Sequence, residues 1–193
     1  MRLRQQLGFG GEGRRAIWIP EENLETDQEA LSRNFPRLVE NQNYTITSPR
    51  TTEYNCLAWA MGLDWAWLSP EPRVAGYYWL PGVPREWTLS TIRLTFHKIG
   101  FIEETTDPTL EEGWEKVAFY SDADGVPSHF ARQLPSGVWT SKMARLNDIE
   151  HETLECLEGP EAYGTVILLL KKRRYQVESQ QPESEQTNPF NSG

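Results

Sequence analysis

Apolar and polar positions follow two textures between residues 35 and 174, first helical and then alternating, and the pattern thins outside that stretch. Phe35-Pro36-Arg37-Leu38-Val39 opens it, and Ser48-Pro49-Arg50-Thr51-Thr52 reads as a loop. Cys56, Trp59, Ala60 and Leu63 fall on one face at helical spacing, which predicts a short helix from Cys56 to Leu63. Asn55 is placed to cap it, and Gly62 limits it to about two turns. Pro70, Pro72, Pro81 and Pro84 then enforce an extended, looping stretch. Helical spacing returns with Leu89, Ile92, Leu94, Phe96 and Ile99, between Thr88 as cap and Gly100 as stop.

The last third alternates. Strands are predicted at Glu115 to Tyr120, His129 to Leu134, Val138 to Lys142 and Tyr163 to Lys172, with turns at Asp124-Gly125 and Ser136-Gly137. Asp148 to Leu157 reads as a short acidic helix or turn. The run Val166-Ile167-Leu168-Leu169-Leu170 is the most apolar, which points to the central strand. The predicted fold class is α+β: a helix carrying Cys56, packed on a mainly antiparallel sheet of about four to five strands. Residues 1–34 are polar and broken by glycines, which predicts a flexible N-terminal arm with one short helix at most. Residues 35–174 form the domain. Residues 175–193 are rich in Gln, Ser, Glu and Pro and predict a disordered tail.

Composition narrows the function classes. The 193 residues carry a formal net charge of -9, which disfavours nucleic acid and anionic membrane surfaces as partners. Lys171 to Arg174 directly follow the apolar run and read as a charged strand end. Two cysteines, Cys56 and Cys156, make neither a disulfide framework nor a zinc motif, so no metal and no cofactor are expected. The first residues lead into no apolar stretch and the longest apolar run is too short to cross a bilayer, so the expected location is the cytoplasm, where thiols stay reduced.

Cys56 stands at the first turn of its predicted helix. A helix start favours thiolate over thiol and offers free N–H groups to a developing oxyanion. Asn55 beside it is a candidate to help hold that oxyanion. Of the three histidines, His97 lies on the second predicted helix, while His129 opens a strand directly after a turn. Cysteine on a helix, histidine on a strand, then a polar residue on the next strand is the order of papain-like enzymes. Tyr54-Asn55-Cys56-Leu57-Ala58-Trp59-Ala60 resembles the nucleophile helix of NlpC-type papain-like hydrolases. Pro127-Ser128-His129-Phe130-Ala131-Arg132-Gln133-Leu134 resembles their histidine strand, and Gly137-Val138-Trp139-Thr140-Ser141-Lys142 the strand that follows. Asp148-Ile149-Glu150-His151, Tyr163-Gly164 and Lys172-Arg173 resemble the ending of an uncharacterised bacterial domain family of that kind.

The resemblance implies a thiol hydrolase or acyltransferase for amide or ester bonds, with Cys56 as nucleophile and His129 as base and then acid. Ser141 is the nearest match for the residue that orients the histidine. Asp148 and His151 are rivals if the chain folds back. Cys156, in the acidic segment, has no evident partner. Tyr77, Tyr78 and Trp79, in a Pro/Gly-rich region, and Trp139 are candidate substrate-binding residues. A peptide or amide substrate is the expected partner. The alternative is an inactive binding module of the same fold, meeting a protein partner through the aromatic loop. Oligomeric state is left open.

Overall fold

A computed structural model describes residues 26–41, 43–71 and 76–174. It begins with α1 (Asp27–Asn34). The Thr26 side chain accepts the Glu29 N–H, and the Glu29 carboxylate accepts the Thr26 N–H in return. Ala30 and Leu31 of this helix are buried. Among the described residues the packed unit therefore includes α1 ahead of Phe35, because this part of the predicted arm is a docked helix. Residues 1–25 and the tail expected over 175–193 lie outside the described residues.

Next come α2 (Pro36–Asn41), β1 (Tyr44–Ile46), α3 (Cys56–Ala60), β2 (Trp67–Leu68), β3 (Tyr77–Tyr78) and α4 (Leu89–Lys98). The remaining elements are β4 (Glu103–Thr105), β5 (Trp114–Ser121), β6 (Pro127–Gln133), β7 (Trp139–Lys142), β8 (Asp148–His151) and β9 (Thr165–Arg173), with a 3-10 turn at Glu155–Leu157. The fold is α+β. One antiparallel sheet has the order β1-β8-β7-β6-β5-β9-β4, and β2 and β3 form a separate two-stranded parallel pair. No described helix is long and apolar enough to cross a membrane.

Two expectations change here. The segment read as an acidic helix or turn splits into β8 and the 3-10 turn. Asp148, Ile149 and His151 are buried between β1 and β7, so the acidic residues concealed a paired strand. The apolar β9 is second from the sheet edge, between β5 and β4. Its first half alternates exposed with half-buried, and Ile167 is 40% exposed. The middle place belongs to β6, the histidine strand. The basic end of β9 flanks an aromatic ring: Lys171 Nζ and Arg173 Cζ each lie 4.1 Å from the Trp114 centroid.

Each face of the sheet has its own core. Tyr120, Ala131, Trp139 and Ile149 pack with Leu31, Phe35 and Leu38 of the N-terminal helices and with Leu154 and Leu157. Val117, Phe119, Phe130 and Leu170 pack with Leu57, Ala58 and Ala60 of α3 and Ile92 and Phe96 of α4. Burying rings of this size removes about 150–250 Å² each from water, which is the main force holding the layers together. The histidine strand is thereby clamped from both sides.

Candidate functional site

Cys56 is the first residue of α3. Asn55 is the extended N-cap: its Oδ1 accepts the N–H groups of Ala58 (3.1 Å) and Leu68 (3.2 Å), and its Nδ2 donates to the Leu68 carbonyl (2.7 Å). The side chain thus closes the helix start and ties β2 to it. Its polar atoms are committed to these bonds rather than aimed at an oxyanion. Gly62 turns the chain with φ +84° and stops the helix at Ala60, short of the two turns expected. The Trp59 indole donates to Thr140 Oγ1 at 3.1 Å, which fixes α3 on β7.

The ladder between β6 and β7 stops at Ala131 and Ser141. Beyond it, the backbone N–H groups of Phe130, Leu57 and Cys56 itself lie near enough to the Cys56 sulfur to favour its thiolate. The cysteine therefore meets the sheet beside the backbone of His129. His129 is fully buried. Its Nε2 lies 3.0 Å from Ser141 Oγ, and Ser141 Oγ lies 3.0 Å from His151 Nε2. His151 Nδ1 is 2.8 Å from the Thr153 carbonyl. Cys156 Sγ donates to that same carbonyl at 2.9 Å. Tyr163 stacks on the His129 ring, and Ser128 Oγ donates to the Tyr163 carbonyl. His129 Nδ1 is buried and unpartnered, so no hydrogen bond joins it to Cys56 in this structure.

Burial dominates the ionisation of every member. It pushes the Cys56 thiol up to about 11, against the three N–H groups and the positive charge of Lys142. It holds the His129 imidazole well below its ordinary value, and the nearby His151 adds to this. His151 is held at about 4 by burial, against the bond to Thr153. The resting pair is therefore thiol and neutral imidazole. Position at a helix start predicted a thiolate, but loss of solvent outweighs the local field here.

The other predicted residues fall as follows. Asp148 is one position from Ile149 on β8 and so faces away from His129; it accepts from the Tyr54 hydroxyl instead. Trp139 shares the face of His129 but is 2% exposed, inside the core. Tyr77 stacks on Trp67 with centroids 5.9 Å apart, Tyr78 is exposed against the edge of Trp65, and the Trp79 indole donates to the carbonyls of Val83 and Pro84.

A pocket of about 680 Å³ opens over the sulfur, walled by Cys56, Trp67, Arg85, Trp87, Ser128 and Tyr163. The Trp87 indole donates to the Pro127 carbonyl at 2.7 Å, which anchors that wall to the histidine strand. Sequence reasoning missed Trp67, Trp87 and Tyr163 as pocket walls, although Tyr163-Gly164 carried part of the resemblance. Among the described residues, no group of three or more His, Cys, Asp or Glu is arranged to hold a metal ion.

The family model described as "Domain of unknown function (DUF7689)" matches residues 45–171. That span takes in every strand of the sheet wholly or in large part. No curated protein and no solved structure matches the chain.

Proposed function

The chain belongs to the DUF7689 family, and from this site we propose that its domain is a papain-like thiol hydrolase or acyltransferase acting on amide or ester bonds. One observation carries the reading. A buried histidine has Nε2 engaged and Nδ1 unpartnered, on the strand whose next N–H lies near the Cys56 sulfur at the base of a pocket. A nucleophile, its base and an orienting hydroxyl then follow one another from helix to strand to strand.

In the proposed reaction Cys56 Sγ attacks the carbonyl carbon while its proton passes to His129 Nδ1. The carbonyl electron pair moves to oxygen and is held by N–H groups that lie near the sulfur, those of Cys56 and Leu57. Collapse breaks the carbon–nitrogen or carbon–oxygen bond, and the leaving group takes the proton from His129. Water, or an acceptor amine in the transferase case, then attacks the thioester and passes its proton to His129. The carbon–sulfur bond breaks, the acyl product leaves and Cys56 Sγ takes the proton back from His129. Because the resting pair is neutral, His129 works as a general base during attack. We place this chemistry in the cytoplasm, where the thiol stays reduced.

A second reading is an interaction module. The raised thiol favours it, as does the exposed aromatic pair Trp65 and Tyr78 near the pocket. Acetylation of Cys56 by p-nitrophenyl acetate separates the two, followed by peptide mass spectrometry in a Cys156→Ser background. The hydrolase reading expects an acetyl group on Cys56 and a rate that falls about 10²-fold or more in His129→Ala. Equal rates with and without His129 would leave Cys56 as an ordinary thiol in an interaction module.

A further inference from the structure

Three hydrogen bonds run in series across β6, β7 and β8, and their directions can be read from the far end. His151 Nδ1 lies 2.8 Å from the Thr153 carbonyl oxygen. A carbonyl only accepts, so Nδ1 carries the proton, and in a neutral imidazole Nε2 is then a bare lone pair. Ser141 Oγ, 3.0 Å away, must donate to that lone pair. A hydroxyl has one hydrogen. Once it is committed to His151, the Ser141 oxygen can only accept on its other side. His129 Nε2, at 3.0 Å, is therefore the protonated nitrogen, and His129 Nδ1 is left bare. That Nδ1 is the buried ring atom without a partner. Reversing the series would set two acceptors 2.8 Å apart at Thr153. The Cys156 thiol agrees with the assignment, since it donates to the same carbonyl and stands 3.4 Å from His151 Nδ1.

We infer that His151 is a positioning residue: through Ser141 it holds His129 as the Nε2–H tautomer, so that the Nδ1 lone pair is available for the Cys56 proton. The inference rests on the Cys56–His129 reading for its purpose, but the tautomer itself does not depend on activity. A lone serine orients an imidazole without choosing its tautomer, because a hydroxyl both donates and accepts. His151, pinned by a carbonyl, removes that freedom.

Long-range proton–nitrogen NMR of the full chain with 15N-labelled histidine, at pH 7.5, reads both tautomers directly. The expected wild-type result is Nε2–H at His129 and Nδ1–H at His151. His151→Gln keeps an acceptor near the place of Nε2 and preserves the His129 tautomer. His151→Asn withdraws that acceptor, and His129 becomes a mixture. Ser141→Ala frees His129 while leaving His151 protonated on Nδ1. The same variants are followed by Cys56 acetylation, which is expected to fall about 10²-fold in His151→Asn and to recover in His151→Gln. A wild-type His129 protonated on Nδ1 would overturn the inference. So would an Nε2–H tautomer that survives both Ser141→Ala and His151→Asn. Failure of wild-type Cys56 to acetylate, with the tautomers as expected, removes the hydrolase reading and not the tautomer assignment.

Discussion

The His129 imidazole lies flat against the Tyr163 ring, with centroids 3.9 Å apart and planes 5° from parallel. The stack covers one face of the histidine and leaves ring rotation little room. Of the ring's two nitrogens, Nε2 meets Ser141 and Nδ1 is buried without a partner. Tyr163 also lines the pocket, so one ring both walls the pocket and backs the His129 imidazole.

The Tyr163 hydroxyl is buried near the Ala144 N–H without making a full hydrogen bond. Tyr163→Phe keeps the stack and removes a poorly satisfied polar group, so stability should hold or rise by about 1 kcal/mol. Tyr163→Leu loses the flat contact and should cost about 1–3 kcal/mol. Urea unfolding of both variants checks this, and a Phe variant weaker than the Leu variant would contradict it.

Gly164 holds Tyr163 in place. Its φ is +80°, and a Cβ there would stand 1.8 Å from the Ser121 carbonyl oxygen. That obstacle is backbone at the end of β5, paired on both sides with β6 and β9, and cannot swing aside as a side chain would. Gly164→Ala should destabilise by on the order of 3–5 kcal/mol, measured as a lowered urea midpoint with unchanged slope. A loss under about 1 kcal/mol would mean that β5 and β9 can separate there.

Stability should fall on both sides of neutrality. His129 and His151 bind protons less readily folded than unfolded, the latter with a folded value of about 4. Between their unfolded value near 6.5 and those folded values, the unfolded chain holds more protons. Stability therefore drops as pH falls through this window, by about 1.4 kcal/mol per pH unit for each group. Cys56 is raised to about 11 and Cys156 to about 12, so above their ordinary value near 9 the unfolded chain loses protons first and stability drops again. Unfolding free energies from pH 4.5 to 10 should show a plateau from about 6.5 to 9. A midpoint that stays level down to pH 5 would remove the buried neutral imidazoles.

Alkylation gives the charge state of the thiol. With Cys156→Ser as background, iodoacetamide should modify Cys56 about 10²-fold more slowly at pH 7.5 than a free thiol near 8.5. The rate should rise tenfold per pH unit through pH 9.5 without levelling. A plateau below pH 8 would show that the sulfur is held as thiolate.

Local features were legible in the chain, and distant ones were not. Thr88 does cap α4, with its hydroxyl accepting the Thr91 N–H, and Gly100 closes it at φ +94°. The strands holding His129 and Ser141 were bounded by turn glycines within a few residues. β8 had no such signal. Its burial comes from pairing with Tyr44 to Ile46, more than 100 residues away in sequence, so Asp148 and Glu150 read as surface. The acidic helix or turn read over this stretch left His151 only a rival orienting residue, whereas it is 1% exposed on a paired strand. Ser141 was found by strand order, but its second bond to His151 depends on that unseen strand. The raised thiol was out of view for a related reason: a helix start is visible in sequence, while desolvation is set by the fold around it.

The pairing across the site also governs how such a domain can vary. Ala131 stands opposite Ser141, and Ser141 opposite Ile149. Steps of two then carry His129, Ser141 and His151 to one side of the sheet. A single residue gained or lost within β7 would turn the serine to the other side and cut the two histidines apart. Length changes in the turns at Ser136-Gly137 and after Lys142 leave that parity untouched. Descendants of this chain can therefore drift freely in loop length, while inside these three strands only even-numbered insertions and deletions keep the histidines joined.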